Sequence, residues 1–405
     1  MSSFAFGTYR VSDLNPIHIE ALKEAIDGGI RLIDTSTNYM DGGAERAVGQ
    51  VLESFDYGIR EDVKIVSKYG YIQGSLLAKH KETPFEDVVE FSPTCYHSIA
   101  KSFLQNQLTL SLERLHVSTI DCYLIHNPEY YIYDALKKEI DRDTMLDTMY
   151  ARIYEAFIGL EEEVNNGRIN SYGISSNSFS KPHNDPEFLP YEDLVTLAED
   201  AAKEVGNKQH SFTTIELPIN MLETQGLKCA QWAKEQGLRV LSNRPLNAQK
   251  GELMYRLAEY DEPKEYYYAL NELLEICDND SLKNLYNLIQ QMDTNKHKFG
   301  WIGDYDSFLY SQIIPHIKKT IEDINEEVVE TLLQYIDTFL VAYREMVAYE
   351  CSKLTKTALK EEFSTCSEKM QICALEFLLE KDEIDYILVG MRKPSYVQEI
   401  LALKR

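Results

Sequence analysis

Eight short runs rich in β-branched and aromatic residues alternate with helical patterns along most of this 405-residue chain. The runs are FAFGTY (4–9), IRLIDTS (30–36), VKIVSK (63–68), TIDCYLIH (119–126), RINSYGIS (168–175), FTTIEL (212–217), LRVLSN (238–243) and IDYILVG (384–390). A strand that is followed by a helix returns parallel to its neighbour, so this rhythm predicts βαβ units and a parallel sheet. Eight units suit an α/β fold of the (β/α)8 TIM-barrel type, with a doubly wound open sheet as the alternative. The glycine fingerprint G-x-G-x-x-G that such an open sheet uses for nucleotides is missing after the first run, which lowers that alternative. The Gly28–Gly29 pair and the "NNG" before the fifth run are helix stops.

The rhythm breaks between the seventh and eighth runs. Residues 249–365 hold aromatic-rich patterns at 265–292 and 311–354 whose apolar residues recur every three or four positions, the spacing of packed helices. The expected organisation is a barrel over 1–248 and 366–405, with an all-helical insert, a cap subdomain, over 249–365 after the seventh strand. Without the insert roughly 290 residues remain, about the size of such a barrel. Tyr266, Tyr267, Tyr268 and Trp301 are expected to pack in its core or to wall a substrate site. The insert should narrow the entrance to the active site, and it is also the candidate contact for a homo-oligomer.

Composition sets outer limits. With 41 basic against 66 acidic residues the formal charge is −25, which argues against nucleic acid or an anionic membrane as partner but leaves room for a local basic site that binds an anionic cofactor. Seven cysteines without tight spacing suggest reduced thiols rather than a disulfide frame. No apolar run reaches the length of roughly 18 residues that spans a bilayer, and "MSSFAFGTYR" has no basic segment followed by an apolar one. A cytoplasmic protein is expected.

The runs end on reactive side chains. Asp34 stands near the end of the second, Lys68 ends the third and His126 the fourth, while Tyr39 lies in the loop after the second. In a barrel these strand ends are neighbours on the C-terminal face, where active sites form. The set is chemically coherent. A lysine ammonium beside a phenol favours the phenolate, an aspartate holds the lysine in place, and a histidine can hydrogen-bond a carbonyl oxygen that becomes an alkoxide. Each residue alone has a structural explanation, such as a cap or a plain ion pair, and it is their joint placement that points to chemistry. Cys122 with His126, or Cys95 with His97, could be metal ligands, but no second cluster at zinc spacing accompanies them, and no metal is expected.

"IDTSTNYMDGGAERAVG", "VKIVSK", "YLIHNP" and "GRINSYGISSN", with "IDYILVGMRKPSYVQEILAL" at the end, resemble the aldo-keto reductase superfamily over residues 4–248 and 367–403. The resemblance implies Tyr39 as catalytic acid/base with Asp34, Lys68 and His126, and a nicotinamide cofactor, NADP(H), as hydride donor. It implies cofactor contacts from Gly7, Thr8, Asp34, Ser175 and Asn177, with Ser176 able to take either serine role. Glu216 stands where the family usually has glutamine. Arg244 and Leu246 in "NRPLNA" replace the usual Ser-Pro-Leu, and Arg392 matches the arginine that grips the 2′-phosphate. The glutamine and asparagine that usually hold adenine fall on Tyr396 and Ile400. The function so implied is an NADPH-dependent oxidoreductase that reduces an aldehyde or ketone or oxidises a sugar or alcohol hydroxyl. The alternative is a nucleotide-binding regulatory or sensor protein on the same fold. The substrate would be a small carbonyl compound or sugar.

Overall fold

The computed structural model of the chain describes residues 3–322 and 326–403. Residues 1–2, 323–325 and 404–405 lie outside the described residues, the middle three falling within the helical pattern read at 311–354. Two compact units are present, Met1–Pro245 with Glu376–Arg405, and Leu246–Leu375.

The first unit is built on a closed ring of strands in chain order. They are β1 (Ser3–Gly7), β2 (Leu32–Asp34), β3 (Lys64–Tyr69), β4 (Cys122–His126), β5 (Tyr172–Ser175), β6 (Phe212–Pro218), β7 (Arg239–Asn243) and β8 (Tyr386–Val389). Every pairing around the ring is parallel, and β1 closes it against β8. Helices between the strands carry local start signals: Asn15 accepts from the Ile17 N–H ahead of Pro16, and Asp141 accepts from the Thr144 N–H, each satisfying a donor that the first turn leaves open.

Strand alternation then places the site. Ala5, Leu32, Val66, Leu124, Leu241 and Leu388 meet inside the barrel with Cys122 below them. Residues two positions further along a strand face the same way, so the next layer towards the C-terminal rim is Gly7, Asp34, Lys68, His126, Asn243 and Gly390. The same step leads from Gly173 to Ser175 on β5 and from Thr214 to Glu216 on β6, and Ser175 lies in register with His126 on one side and Glu216 on the other. An apolar floor thus carries a polar layer.

Two stretches after strands, irregular in the sequence, carry structure of their own. Tyr71–Ile72, Val89–Ser92 and Cys95–His97 form an antiparallel sheet after β3, and a helix covers Tyr130–Lys137 after β4.

The second unit begins earlier and ends later than 249–365, and it is not all-helical. A hairpin, Asn247–Lys250 against Leu253–Arg256, opens it. Gly251 sits at φ 62 in the two-residue loop, a position that favours glycine and gives the hairpin its turn. Helices follow, among them the 33-residue helix Glu326–Ala358, and they bury Tyr266, Leu273, Ile289, Tyr305, Phe339 and Tyr343 together. Tyr266 is core, its hydroxyl on Asp293, while Tyr267 and Tyr268 are 45% and 73% exposed. The expectation of reduced thiols throughout also changes: Cys366 and Cys373 form a disulfide, and the other five cysteines are free and buried. Among the described residues no helix is long and apolar enough to cross a membrane.

Gly173 tests the layered barrel. A Cβ there would meet Thr214 O at 2.0 Å and Leu124 Cδ2 at 2.8 Å, atoms of the adjoining strands with no room to retreat. Gly173→Ala should cost about 3 kcal/mol, the upper end for overpacking, read as a lowered urea midpoint. An unchanged midpoint would contradict the close approach of β5 to β4 and β6.

Candidate active site

Lys68 is fully buried and lies between two carboxylates. Its Nζ hydrogen-bonds Asp34 Oδ1, donates to the Thr35 carbonyl at 3.2 Å, and stands 3.2 Å from Glu216 Oε2. That last contact is an ion pair out of line for a hydrogen bond, since Glu216 Oε2 has no hydrogen-bond partner; its Oε1 accepts from Asn243 Nδ2 at 2.9 Å. Burial works against the ammonium, but Asp34 and Glu216 outweigh it and hold Lys68 charged. Burial and the Glu216 charge push the Asp34 carboxyl well above the ordinary carboxylate range, against the pull of Lys68.

Tyr39 is half-buried at this cluster, its ring centroid 5.4 Å from Lys68 Nζ. The effect on the phenol differs from the expected lowering. Burial pushes its pKa up, Lys68 pulls it down, and Asp34 and Glu216 push it up again, so the net direction is upward. One ammonium shared by two carboxylates cannot favour the phenolate as an unshared one would. The phenol therefore keeps its proton.

His126 meets Tyr39 edge-on at 5.9 Å between centroids and Tyr71 at 4.8 Å. Burial, then the charge of Lys68, holds its pKa well below the ordinary value, so the imidazole is neutral. Its Nδ1 lies 3.0 Å from Ser36 Oγ, which is also 2.7 Å from Asn38 Oδ1. Behind it, buried His97 faces the His126 carbonyl with Nε2 at 2.7 Å. A carbonyl only accepts, so Nε2 carries the proton, and burial holds the His97 pKa down to about 4. Gly70, at φ 152, makes this contact possible: a Cβ there would meet His97 Nε2 at 2.6 Å and His126 O at 2.7 Å.

The residues that the resemblance assigned to a cofactor fall into separate groups. Gly7 pairs with Asp34 in the β1–β2 ladder, and the Thr8 N–H donates to the Asp34 carbonyl at 2.9 Å. Ser175 and Glu216 share the polar layer with Lys68. Ser176, by contrast, gives its hydroxyl to Glu129 Oε2 at 2.8 Å, and the Asn177 N–H donates to Glu129 Oε1 at 2.8 Å. Arg244, at φ 51, pairs with Glu223 at 3.0 Å. Arg392, in the turn after β8, adds to burial in holding down the pKa of His18 on the helix Pro16–Asp27. Leu246 opens the second unit, where its carbonyl accepts from the Leu257 N–H at 2.9 Å.

Sequence reasoning missed Ser36, Asn38 and Glu129, and it considered His97 only as a metal ligand with Cys95, not as a partner of the His126 carbonyl. Ser36 and Asn38 stand inside the motif that holds Asp34 and Tyr39, and Glu129 three residues after His126, so proximity was a usable signal. For His97 there was none. Glu129 is fully buried, and burial pushes its carboxyl from 4.5 up to about 7 despite the hydrogen bonds it accepts. A carboxyl whose pKa is higher folded than unfolded contributes stability that is complete below pH 4.5 and is lost as the pH rises through about 7. The interval corresponds to about 3 kcal/mol. Urea unfolding of Glu129→Gln beside the parent should show the parent losing that amount relative to the variant between pH 4.5 and 7, with parallel behaviour above. A constant difference would show that Glu129 titrates at its ordinary value.

Residues 5–185 match the aldo/keto reductase family. Methylglyoxal reductase YeaE of Escherichia coli (strain K12) is 25% identical over 256 residues, covering 62% of this chain and 66% of the relative. The NADH-specific methylglyoxal reductase of the same organism is 31% identical over 113 residues, 27% of this chain and 31% of the relative. In both cases less than two thirds of the relative's length is matched. A solved aldo/keto reductase from Klebsiella pneumoniae in complex with NADP and acetate aligns with TM-score 0.37 and 20% identity, covering 60% of this chain and 64% of that one. The matched segment 5–185 contains β1 to β5 with Asp34, Tyr39, Lys68, His126 and Ser175, on a closed parallel barrel, and over this segment the chain is similar to the aldo/keto reductase family.

Proposed function

We propose that the protein is an NADPH-dependent oxidoreductase that reduces an aldehyde or ketone, or oxidises the matching alcohol or sugar hydroxyl, with Tyr39 as general acid/base. The observation that carries this reading is the convergence of a protonated phenol, a buried ammonium and a neutral imidazole at the rim of one barrel: Tyr39 lies 5.4 Å from Lys68 and 5.9 Å from His126, measured to ring centroids. The names of the two bacterial relatives make methylglyoxal the first compound to try.

The polar layer fits a nicotinamide carboxamide. Thr8 Oγ1, Glu216 Oε2 and Asn243 Oδ1 are buried oxygens without a hydrogen-bond partner in the chain, and acceptors of this kind suit an amide NH2. Ser175 and Asn177 would hold the amide's other edge, and Arg392 would face a 2′-phosphate, a bidentate partner that NADH lacks. Gly7 and Arg244 complete the proposed contacts. Bound NADPH would supply a hydride.

The chain's own residues do the rest. Tyr39 donates its proton to the carbonyl oxygen as negative charge develops there, and takes it back when an alcohol is oxidised. Lys68 faces the phenolate left behind, and Asp34 with Glu216 keeps the ammonium charged and fixed in direction. His126 orients the oxygen-bearing group beside it. One feature favours the second reading, a nucleotide-binding sensor with weak catalysis: the Glu216 carboxylate opposes the phenolate that the acid step must form.

Both readings require nucleotide binding, measured by quenching of protein fluorescence with NADPH and with NADH. Turnover of methylglyoxal, other aldehydes and sugars then separates them. Tyr39→Phe should bind NADPH within a few-fold of the parent and reduce carbonyls at least about a hundredfold more slowly, as expected for loss of an acid catalyst. Full turnover in that variant would remove Tyr39 from the reaction.

A further inference from the structure

The unpaired oxygens at the polar layer differ in charge. Thr8 Oγ1 and Asn243 Oδ1 are neutral, whereas Glu216 Oε2 belongs to a carboxylate. The Glu216 side chain is 2% exposed, and its Oε1 accepts from Asn243 Nδ2 at 2.9 Å. That bond orients both side chains at once. With Nδ2 donating, the Asn243 amide keeps its oxygen as an acceptor, and Glu216 keeps Oε2.

The charge around Lys68 does not balance. One ammonium serves two carboxylates, Asp34 through a hydrogen bond and Glu216 at 3.2 Å. Neighbouring groups register the surplus. Behind burial, the Glu216 charge is the next cause that raises the Asp34 carboxyl, and Asp34 and Glu216 both raise the Tyr39 phenol against the pull of Lys68.

A surplus negative charge discriminates between the two states of a nicotinamide cofactor. The oxidised ring is a cation and the reduced ring is neutral, while the rest of the molecule is the same. A carboxylate at the ring end attracts the first and is indifferent to the second. We infer that Glu216 is a specificity-determining residue that makes this site bind NADP+ more tightly than NADPH, and thereby makes bound NADPH a stronger hydride donor than free NADPH. The inference rests on the cofactor placement proposed above. Its second half follows from the first, because binding that favours the oxidised form shifts the bound couple by the same factor.

This accounts for a carboxylate in a site whose acid it opposes. One carbonyl compound, one NADPH and one proton give one alcohol and one NADP+, the hydride going to carbon and the Tyr39 proton to oxygen. Reduction so leaves a positive charge on the cofactor ring and a negative one on the Tyr39 oxygen. Glu216 favours the first and disfavours the second.

Titration calorimetry of the protein with NADP+ and with NADPH, at neutral pH and one ionic strength, reads the preference without turnover. The parent should bind NADP+ about tenfold more tightly than NADPH, the order expected of a buried charge pair that Lys68 partly compensates. A tenfold preference corresponds to about 30 mV in the bound two-electron couple. In Glu216→Gln the affinity for NADP+ should fall about tenfold and that for NADPH stay within a few-fold, as expected when one charge is removed and the shape is kept. Glu216→Asp keeps the charge and should keep NADP+ the tighter ligand; it also serves should Glu216→Gln not fold. NADPH binding as tightly as NADP+ in the parent, an equal loss for both nucleotides in Glu216→Gln, or a lost preference in Glu216→Asp overturns the inference alone. A parent that binds neither nucleotide overturns it together with the oxidoreductase reading.

Discussion

The rim of the barrel depends on one ammonium held by two carboxylates. Lys68 is fully enclosed, with Asp34 on the neighbouring β2 and Glu216 on β6 closing on it. Burying an ion is expensive, and a pair offsets that cost only when geometry and further hydrogen bonds are good. Here the Thr35 carbonyl and Asn243 supply those bonds. The arrangement also sets the chemistry of its neighbours. The same ammonium holds down the pKa of His126, and its attraction for the Tyr39 phenolate is countered by the two carboxylates. A protonated phenol beside a neutral imidazole is the result.

Much of this was legible because a barrel strand is short and its residues alternate. Once Leu32, Val66 and Leu124 point inward, Asp34, Lys68 and His126 must follow two residues later, and the strand ends fall side by side. The expected direction of the Tyr39 shift was wrong chiefly because burial raises the phenol's pKa, with Asp34 and then Glu216 adding to it, and no strand pattern carries these effects. Glu216 is remote in sequence, and its distance to Lys68 exists only once the ring has closed. The same holds for His97, which reaches the His126 carbonyl from a small antiparallel sheet whose strands show no clear periodicity. Ser36 and Asn38 were overlooked although they lie within the motif, since small polar residues in a loop look like ordinary turn chemistry.

The second unit shows the opposite balance. Its helices announced themselves through three- and four-residue spacing, and Tyr266, Tyr305 and Tyr343 do form a shared core. The hairpin at its start was hidden because Asn247–Lys250 is mostly polar and Leu253–Arg256 does not alternate cleanly. The Cys366–Cys373 link was hidden as well, since a pair seven residues apart in a chain with few cysteines gives no framework to read.

The central claim is that Lys68 and its two carboxylates form one electrostatic unit on which the rim depends. Urea unfolding of Lys68→Met measures it. Removing the ammonium alone leaves uncompensated carboxylates in the barrel and should cost about 3–5 kcal/mol. Adding Asp34→Asn and Glu216→Gln to the same variant removes the stranded charge and should restore most of that loss. A triple variant no more stable than Lys68→Met would contradict the account.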